Sequence, residues 1–264
     1  MERAKFYAAL RRRGSGVFGT SLSQVQVEGI ENLLNVWEKH FAGGSVDELA
    51  YNLGTAYHET AHTMQPITER GKRSYFNKYE PGTRIGKVLG NTQPGDGYRF
   101  RGEGHVQNTG RRNARKATQR LNEVFRLGVD LEREPAKRGD PYISALSLFL
   151  GNREGWWTGR ALDQYVDGID EDDDEDFREY VKARAVVNGS DRAAMIAGYA
   201  VAFEKALREA GYRAGVPEKP VQPRQPDPAP IPVPSPKPSP APKSGGFWAA
   251  IAAFLKALIR GGQK

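Results

Sequence analysis

The chain has 264 residues, 27% of them charged and 38% hydrophobic, the proportions of a soluble globular protein with room for one well-buried domain plus appendages. It contains no cysteine, which excludes disulfides, thiolate metal sites and cysteine nucleophiles and lets the fold form in a reducing compartment. Most of the net charge of +7 belongs to residues 214–264, where seven Lys/Arg face two acids; such a basic segment suits nucleic acid, anionic lipid or an anionic wall polymer.

Met1 to Arg13 lacks the apolar core and small-residue cleavage site of a secretory signal, so the expectation is a protein made and kept in the cytoplasm until something releases it. Residues 2–12 and 22–41 read as helices. The second is entered through Leu22-Ser23 and carries Val25, Ile30, Leu33, Leu34, Val36, Trp37 and Phe41 at near-helical spacing. Gly43-Gly44-Ser45 ends it and caps a further helix, expected from Val46 to Met64, with Leu49, Leu53, Ala56 and Tyr57 on one stripe and Pro66 forcing its end.

Two chemistries compete at the end of that helix. His58-Glu59-Thr60-Ala61-His62 fits H-E-x-x-H, in which histidines one turn apart bind zinc and the glutamate is a general base. A third ligand is then needed; position 68 is Thr, which leaves His40, His105 or a carboxylate such as Glu80. The same stretch also fits a helix end presenting one carboxylic acid, Glu59, with a second carboxylate ten residues on, Glu69, as a glycosidase needs.

From Glu69 to about Gly110 the chain is rich in Gly, Tyr, Arg and Asn and thin in regular structure beyond a short hairpin. A loop region this long in a compact domain serves binding or catalysis, and its tyrosines, arginines and amides suit the wall of a cleft for a polyhydroxylated ligand. Helices return over 111–127 and 141–150. Trp156-Trp157 reads as core as readily as a sugar platform and is assigned no role. Asp170, Asp172, Asp174 and Asp176 alternate like a calcium loop. Glu175 replaces the required glycine and Val181 the bidentate glutamate, so a solvated acidic loop before a helix at Phe177 is expected instead. That helix breaks at Asn188-Gly189, and a last one, Asp191 to Ala210, closes the domain.

The expected organisation is a domain over 1–213, a proline-dominated spacer over 214–245 and a terminal segment over 246–264. In the last, Phe247, Ile251, Phe254, Leu255 and Leu258 share one helical stripe interrupted by Lys256 and Arg260. It is shorter than the roughly 20 residues that span a bilayer, which points to an interfacial amphipathic helix on a membrane or, alternatively, a docking helix.

Several ordered stretches carry a resemblance: Tyr57-His58-Glu59-Thr60, Ile67-Thr68-Glu69-Arg70-Gly71, Arg73 to Glu80, Asp96 to Gly102, Val106 to Asn113 and Val187-Asn188-Gly189. Over residues 5 to 210 the chain resembles family 19 glycoside hydrolases, in particular the bacteriophage endolysins of that chitinase-like group. The resemblance implies a mainly α, lysozyme-like fold with a loop-rich cleft and inverting hydrolysis of β-1,4 bonds between amino sugars. It assigns Glu59 as general acid and Glu69 as the base that activates water, with the carboxyls about 6.5–9.5 Å apart. It also gives Gln107, Thr109, Asn113 and Asn188 to the sugar or the water; Tyr98 and Arg101, in the loop region, are taken as further substrate contacts.

The implied partners are peptidoglycan glycan strands and, through the terminal helix, a bacterial membrane surface. No nucleic acid, cofactor or metal is implied, and a monomer is expected, held in the host cytoplasm until a pore-forming partner releases it to the wall or periplasm. Chitin is the alternative substrate. Two positions depart from the family pattern: Glu103, where Arg-Gly-Arg-Gly is usual over 101–104, and Asn108, where an apolar residue is usual. Glu103 is then either a surface change or a rival to Glu69.

Overall fold

The computed structural model describes residues 1–169 and 173–213; the spacer and the expected terminal helix lie outside the described residues. The described chain is mainly α. Its helices are α1 (Arg3–Leu10), α2 (Gln24–His40), α3 (Val46–Glu59), α4 (Arg84–Val88), α5 (Asp96–Arg99), α6 (Arg111–Phe125), α7 (Pro141–Arg153), α8 (Asp173–Ala183), α9 (Ala185–Asn188) and α10 (Ala193–Glu209). Two short strands, β1 (Ile67–Thr68) and β2 (Glu103–Gly104), pair antiparallel with Ile67 opposite Gly104 and Thr68 opposite Glu103. The loop-rich region is therefore clamped by strands far apart in sequence, and a tight bridge from Glu103 to Asn108 extends the pairing.

The two long N-terminal helices α2 and α3 start where side chains receive the free backbone N–H groups of a first turn. Ser23 and Gln26 form a reciprocal capping box at α2, and Ser45 accepts from Glu48 N at 3.0 Å to start α3. Helix α3 is the centre of the molecule: all of it but Glu48 is buried, and it lies against α10, α2 and α7. One apolar stripe is what its sequence shows, but a surrounded helix buries its polar side as well. Asn52 accordingly satisfies itself by donating to Glu48 O (2.7 Å) and accepting from Asn152 (2.8 Å). Gly54 permits the close crossing with α10, since a Cβ there would stand 2.8 Å from Ala200 N. A second, smaller core of Phe76, Tyr79 and Leu89, edged by Tyr75, Ile85 and Tyr98, sits under the loop region.

Several boundaries differ from expectation: the helix expected from Phe177 to Asn188 is split at Arg184, the last helix begins at Ala193 instead of Asp191, and two further differences bear on the site and the core. Helix α3 stops at Glu59, five residues before Met64, although Pro66 is still ahead. Thr60 ends it: its hydroxyl donates to Ala56 O (2.7 Å) and accepts from Met64 N (2.9 Å), and Ala61, His62 and Met64 take left-handed backbone angles (φ 51°, 68° and 60°). The turn is seated on α2 through Gln26, which donates to His62 O, and Gln65, which donates to Val25 O. The second difference is at the acidic run, where Asp173 to Asp176 already belong to the first turn of α8, favourable for acids at the positive end of a helix.

Asp176 is not solvated. It lies buried beside Asp47 of α3 and Glu204 of α10, their oxygens within 4.8 Å of one another. Arg208 donates to Asp47 and to Glu204 at 2.8 Å each, and Tyr180 donates to Glu204 at 2.7 Å. Among the described residues Arg208 is the cation bonded to this cluster, and burial first and then the neighbouring Glu204 and Asp47 raise the Asp176 pKa. A raised folded-state pKa contributes stability that is complete below the unfolded carboxyl value, about 4, and lost as pH rises through the folded one. Raising the pH from about 5 to about 9 should therefore lower the melting temperature of the wild type more than that of Asp176→Asn; parallel slopes would show that Asp176 is already ionised at the lower pH.

Candidate active site

Glu59 is the last residue of α3, 5% exposed, and its Oε1 accepts from the Arg184 guanidinium at 2.7 Å. Arg184 is itself 1% exposed, donates through Nε to Asp191 O (3.2 Å) and precedes α9, whose Asn188 N donates to Arg184 O (2.9 Å). Arg184 thus ties the end of α3 to the start of α9, and Asn188 joins it through its backbone N–H. The negative end of the α3 dipole is one charge acting on Glu59; this guanidinium, in direct contact with its carboxylate, is another.

Glu69 follows β1 directly. Its backbone N donates to Gly102 O (2.7 Å), and its carboxylate accepts from Gly102 N and from Tyr79 Oη, each at 3.0 Å. It is 1% exposed, and burial raises its pKa while the hydrogen bonds from Gly102 and Tyr79 oppose the rise. Around it the strand pair gathers several other predicted residues. Gln107 Nε2 donates to Ile67 O (2.8 Å) and Gly104 O (3.1 Å), Thr109 Oγ1 donates to Gln107 O (2.7 Å), and Asn113 Nδ2 donates to Thr109 O (2.9 Å). A Cβ on Gly102 would strike Gln107 Oε1 at 2.5 Å and meet Thr109 Oγ1 at 3.2 Å, so this glycine lets both side chains pack beneath the strand. Tyr98 is half-buried with Arg73 and Arg101 over its ring at 5.1 and 4.4 Å, and Arg101 Nη1 donates to Tyr98 O (2.9 Å).

The structure therefore brings together Glu69, Gln107, Thr109, Asn113, Tyr98 and Arg101 on the strand pair and the smaller core, and sets Glu59 with Asn188 in the helical body. Gln107 Oε1 and both side-chain polar atoms of Asn108 are buried and have no protein partner among the described residues, a capacity that a water or a sugar hydroxyl meets. Glu103 is not a surface change: it is 5% exposed, accepts from Thr68 Oγ1 at 2.7 Å and lies 3.6 Å from Arg101. Its charge faces Arg138, a fully buried guanidinium that donates to the carbonyls of Pro135, Asn108 and Arg101 and whose pKa burial pushes down to about 10. Glu103 is in that setting a counter-charge for Arg138.

The metal reading of the His58-to-His62 motif loses its geometry. The helix ends at Glu59, His58 is buried within it, and His62 lies beyond in the left-handed turn, its ring stacked on Tyr57 at 4.2 Å and 9°. The further ligands it would need are engaged elsewhere: His40 with Tyr142, His105 with Ser144 and Met64 O, and Glu80 with the backbone N–H groups of Gly95 and Gly97. Among the described residues, the His, Asp and Glu side chains whose ligand atoms converge are Asp47, Asp176 and Glu204, remote from this motif in the hydrogen-bond network. Trp156 is core and Trp157 is held by a bond to Asn152.

Arg184 and Arg138 carry no sequence motif of their own, and Tyr79 lies in the Arg73 to Glu80 stretch, where no signal singles it out. For Arg184 a signal exists in retrospect, a lone cation inside the apolar run Ala183 to Val187. Comparison of the chain with protein-family models, with curated proteins and with solved structures returns no match.

Removing one partner of a buried ion pair leaves the other uncompensated, at a cost of roughly 3–5 kcal/mol. Arg184→Met should lose about that much in urea denaturation, and adding Glu59→Gln should restore most of it. An equal loss in the double variant would assign Arg184 a packing role instead.

Proposed function

We propose that the chain is a peptidoglycan hydrolase with a lysozyme-like catalytic domain, cutting β-1,4 bonds between amino sugars with inversion, and that Glu59 and Glu69 are its acid and base. The observation that carries this reading is a pair of buried carboxyls ten residues apart held in unlike settings, one bonded to a buried guanidinium and one bonded to neutral donors with Lys78 nearby. Inverting hydrolysis needs two carboxyls whose surroundings differ, one to protonate the leaving oxygen and one to take a proton from water on the opposite face of the sugar. In this scheme Glu59, protonated when the substrate binds, gives that proton to the glycosidic oxygen as the bond breaks, and the ion pair with Arg184 seen in the structure is the state that remains after the transfer. Glu69, oriented by Gly102 N and Tyr79, takes the proton of the attacking water. Gln107 Oε1 and the Asn108 amide supply polar atoms that neutral donors and acceptors of water or sugar fit.

Digestion of purified peptidoglycan followed by muropeptide analysis tests the reaction. New reducing sugar ends with intact peptide stems are expected, and Glu59→Gln, which removes the donor with little change of shape, should lower the rate by roughly 10²–10⁴-fold. The base must be ionised and burial raises the Glu69 pKa, so the acid limb of the wild-type pH profile should lie above that of an ordinary glutamate. Released peptides with glycan strands intact, or near wild-type lysis by Glu59→Gln, would end this reading.

The same proposal includes residues 246–264 as a helix that meets a bacterial membrane after release from the cytoplasm, on the pattern of its apolar stripe and its three cations. Deleting them should spare activity on isolated peptidoglycan and reduce lysis of intact Gram-negative cells; equal lysis with and without them would remove the membrane role.

A further inference from the structure

Beside the Glu59 group an open pocket of about 240 Å³ is lined by His58, Ala61, His62, Arg192, Met195 and Tyr199. It lies between the end of α3 and the start of α10. Its connection to Glu59 is direct in the hydrogen-bond network: Glu59 is held by Arg184, and Arg184 is held by the carbonyl of Asp191, the residue before Arg192. The volume is below the roughly 300–1,000 Å³ of a site for a whole drug-sized ligand, which fits a substituent projecting from a sugar rather than a sugar ring with its neighbours.

The lining has a definite chemistry. Arg192 is its one permanent charge, about 40% exposed at the side chain and only 3.9 Å from its neighbour Asp191, a loose exposed pair that leaves the guanidinium available to an anion. Burial pushes His58 down to about 4 and also lowers His62, so both imidazoles are neutral hydrogen-bonding groups at neutral pH and add no competing charge. Tyr199 and Met195 supply apolar surface, and Met195 is 40% exposed, large for a methionine with nothing to cover.

Backbone strain converges on the same place. Ala61, His62 and Arg192 all hold left-handed angles (φ 51°, 68° and 56°), conformations that cost energy for residues with a Cβ and that cluster at ligand clamps. Three strained residues from two separate segments meet at one small pocket whose single cation has no buried partner.

We infer that this pocket is the subsite for the acidic lactyl-peptide substituent of a muramic acid residue, with Arg192 pairing its carboxylate and the Tyr199 and Met195 surface meeting its short apolar part. The inference rests on the peptidoglycan reading above and deepens it, because a polymer of N-acetylglucosamine alone carries no acidic substituent to place there. The subsite therefore discriminates wall glycan from chitin by charge.

The four histidines of the chain make the pocket observable, two within it and His40 and His105 outside it as controls. Titration of the full chain with N-acetylmuramyl-L-alanyl-D-isoglutamine should shift the imidazole NMR signals of His58 and His62 and leave those of His40 and His105 in place. Arg192→Asn should weaken this binding about tenfold or more while binding of tri-N-acetylglucosamine is unchanged; asparagine tolerates the left-handed angle at 192, so the fold is preserved. Muramyl dipeptide that leaves His58 and His62 unmoved, or that binds Arg192→Asn as well as wild type, overturns the subsite. Glycan cleavage with no such shift overturns the subsite alone. The shift without glycan cleavage overturns the hydrolase reading and leaves an acidic-glycopeptide pocket standing.

Discussion

The ion pair between Glu59 and Arg184 is the contact on which the arrangement of the helical body turns. A carboxylate and a guanidinium out of water are tolerated only when paired and hydrogen-bonded, because the cost of stripping water from each is several kcal/mol. Both are almost wholly buried here, so the pair holds the end of α3, the entry to α9 and the Asp191 carbonyl in one fixed relation. Helix α3 can carry such a group to its end because it is surrounded. Gly54 lets α10 approach, Asn52 and Asn152 satisfy each other, and Asp47 at the other end is met by Arg208. These polar residues inside the core are met in that way, and the chain has no disulfide to share the task.

The other half of the candidate site is built on a different principle. Glu69 is hydrogen-bonded by neutral donors at a two-residue strand pair, over a small aromatic core, and its neighbours Gln107 and Thr109 pack beneath Gly102, where a Cβ would push against the Gln107 amide. Charge in that region is compensated one step away, by Glu103 against Arg138. A departure at position 103 that looks arbitrary in the sequence is understandable once a buried arginine 35 residues later is seen beneath it. Neutral donors with Lys78 nearby around one carboxyl, and a buried guanidinium against the other, place the two groups in unlike electrostatic surroundings.

Much of the helical framework was legible in the sequence. The spacing of Ile30, Leu33, Leu34 and Trp37 marks α2, Ser23 and Ser45 mark the starts of α2 and α3, and Asn188-Gly189 marks the break after α9, where Gly189 takes a positive φ. The end of α3 was not legible. Pro66 is a strong local stop, but Thr60 acts earlier by turning its hydroxyl onto the backbone, and whether a threonine does so depends on what the following turn can pack against. Here that is α2, through Gln26 and Gln65. The H-E-x-x-H match misleads for the same reason, since a pattern in sequence presumes a helix that tertiary contacts have already unwound. Asp176 likewise reads as one more solvated acid in a run of them, and only the approach of α3 and α10 reveals it as buried.

What the sequence determined by itself is local: helix periodicity, caps, breaks, the absence of thiol chemistry, and the two glutamates ten residues apart. Each of these depends on residues within one or two turns of each other, where backbone geometry couples them directly. What only the tertiary structure decided is which charges meet. Arg184 reaches Glu59 across 125 residues, Arg138 faces Glu103 across 35, and Arg192 comes to His58 and His62 from the far end of the domain. Such pairings are selected by burial, because an ionised group inside the protein must find a partner wherever the packing of helices happens to bring one, and no spacing along the chain encodes that meeting.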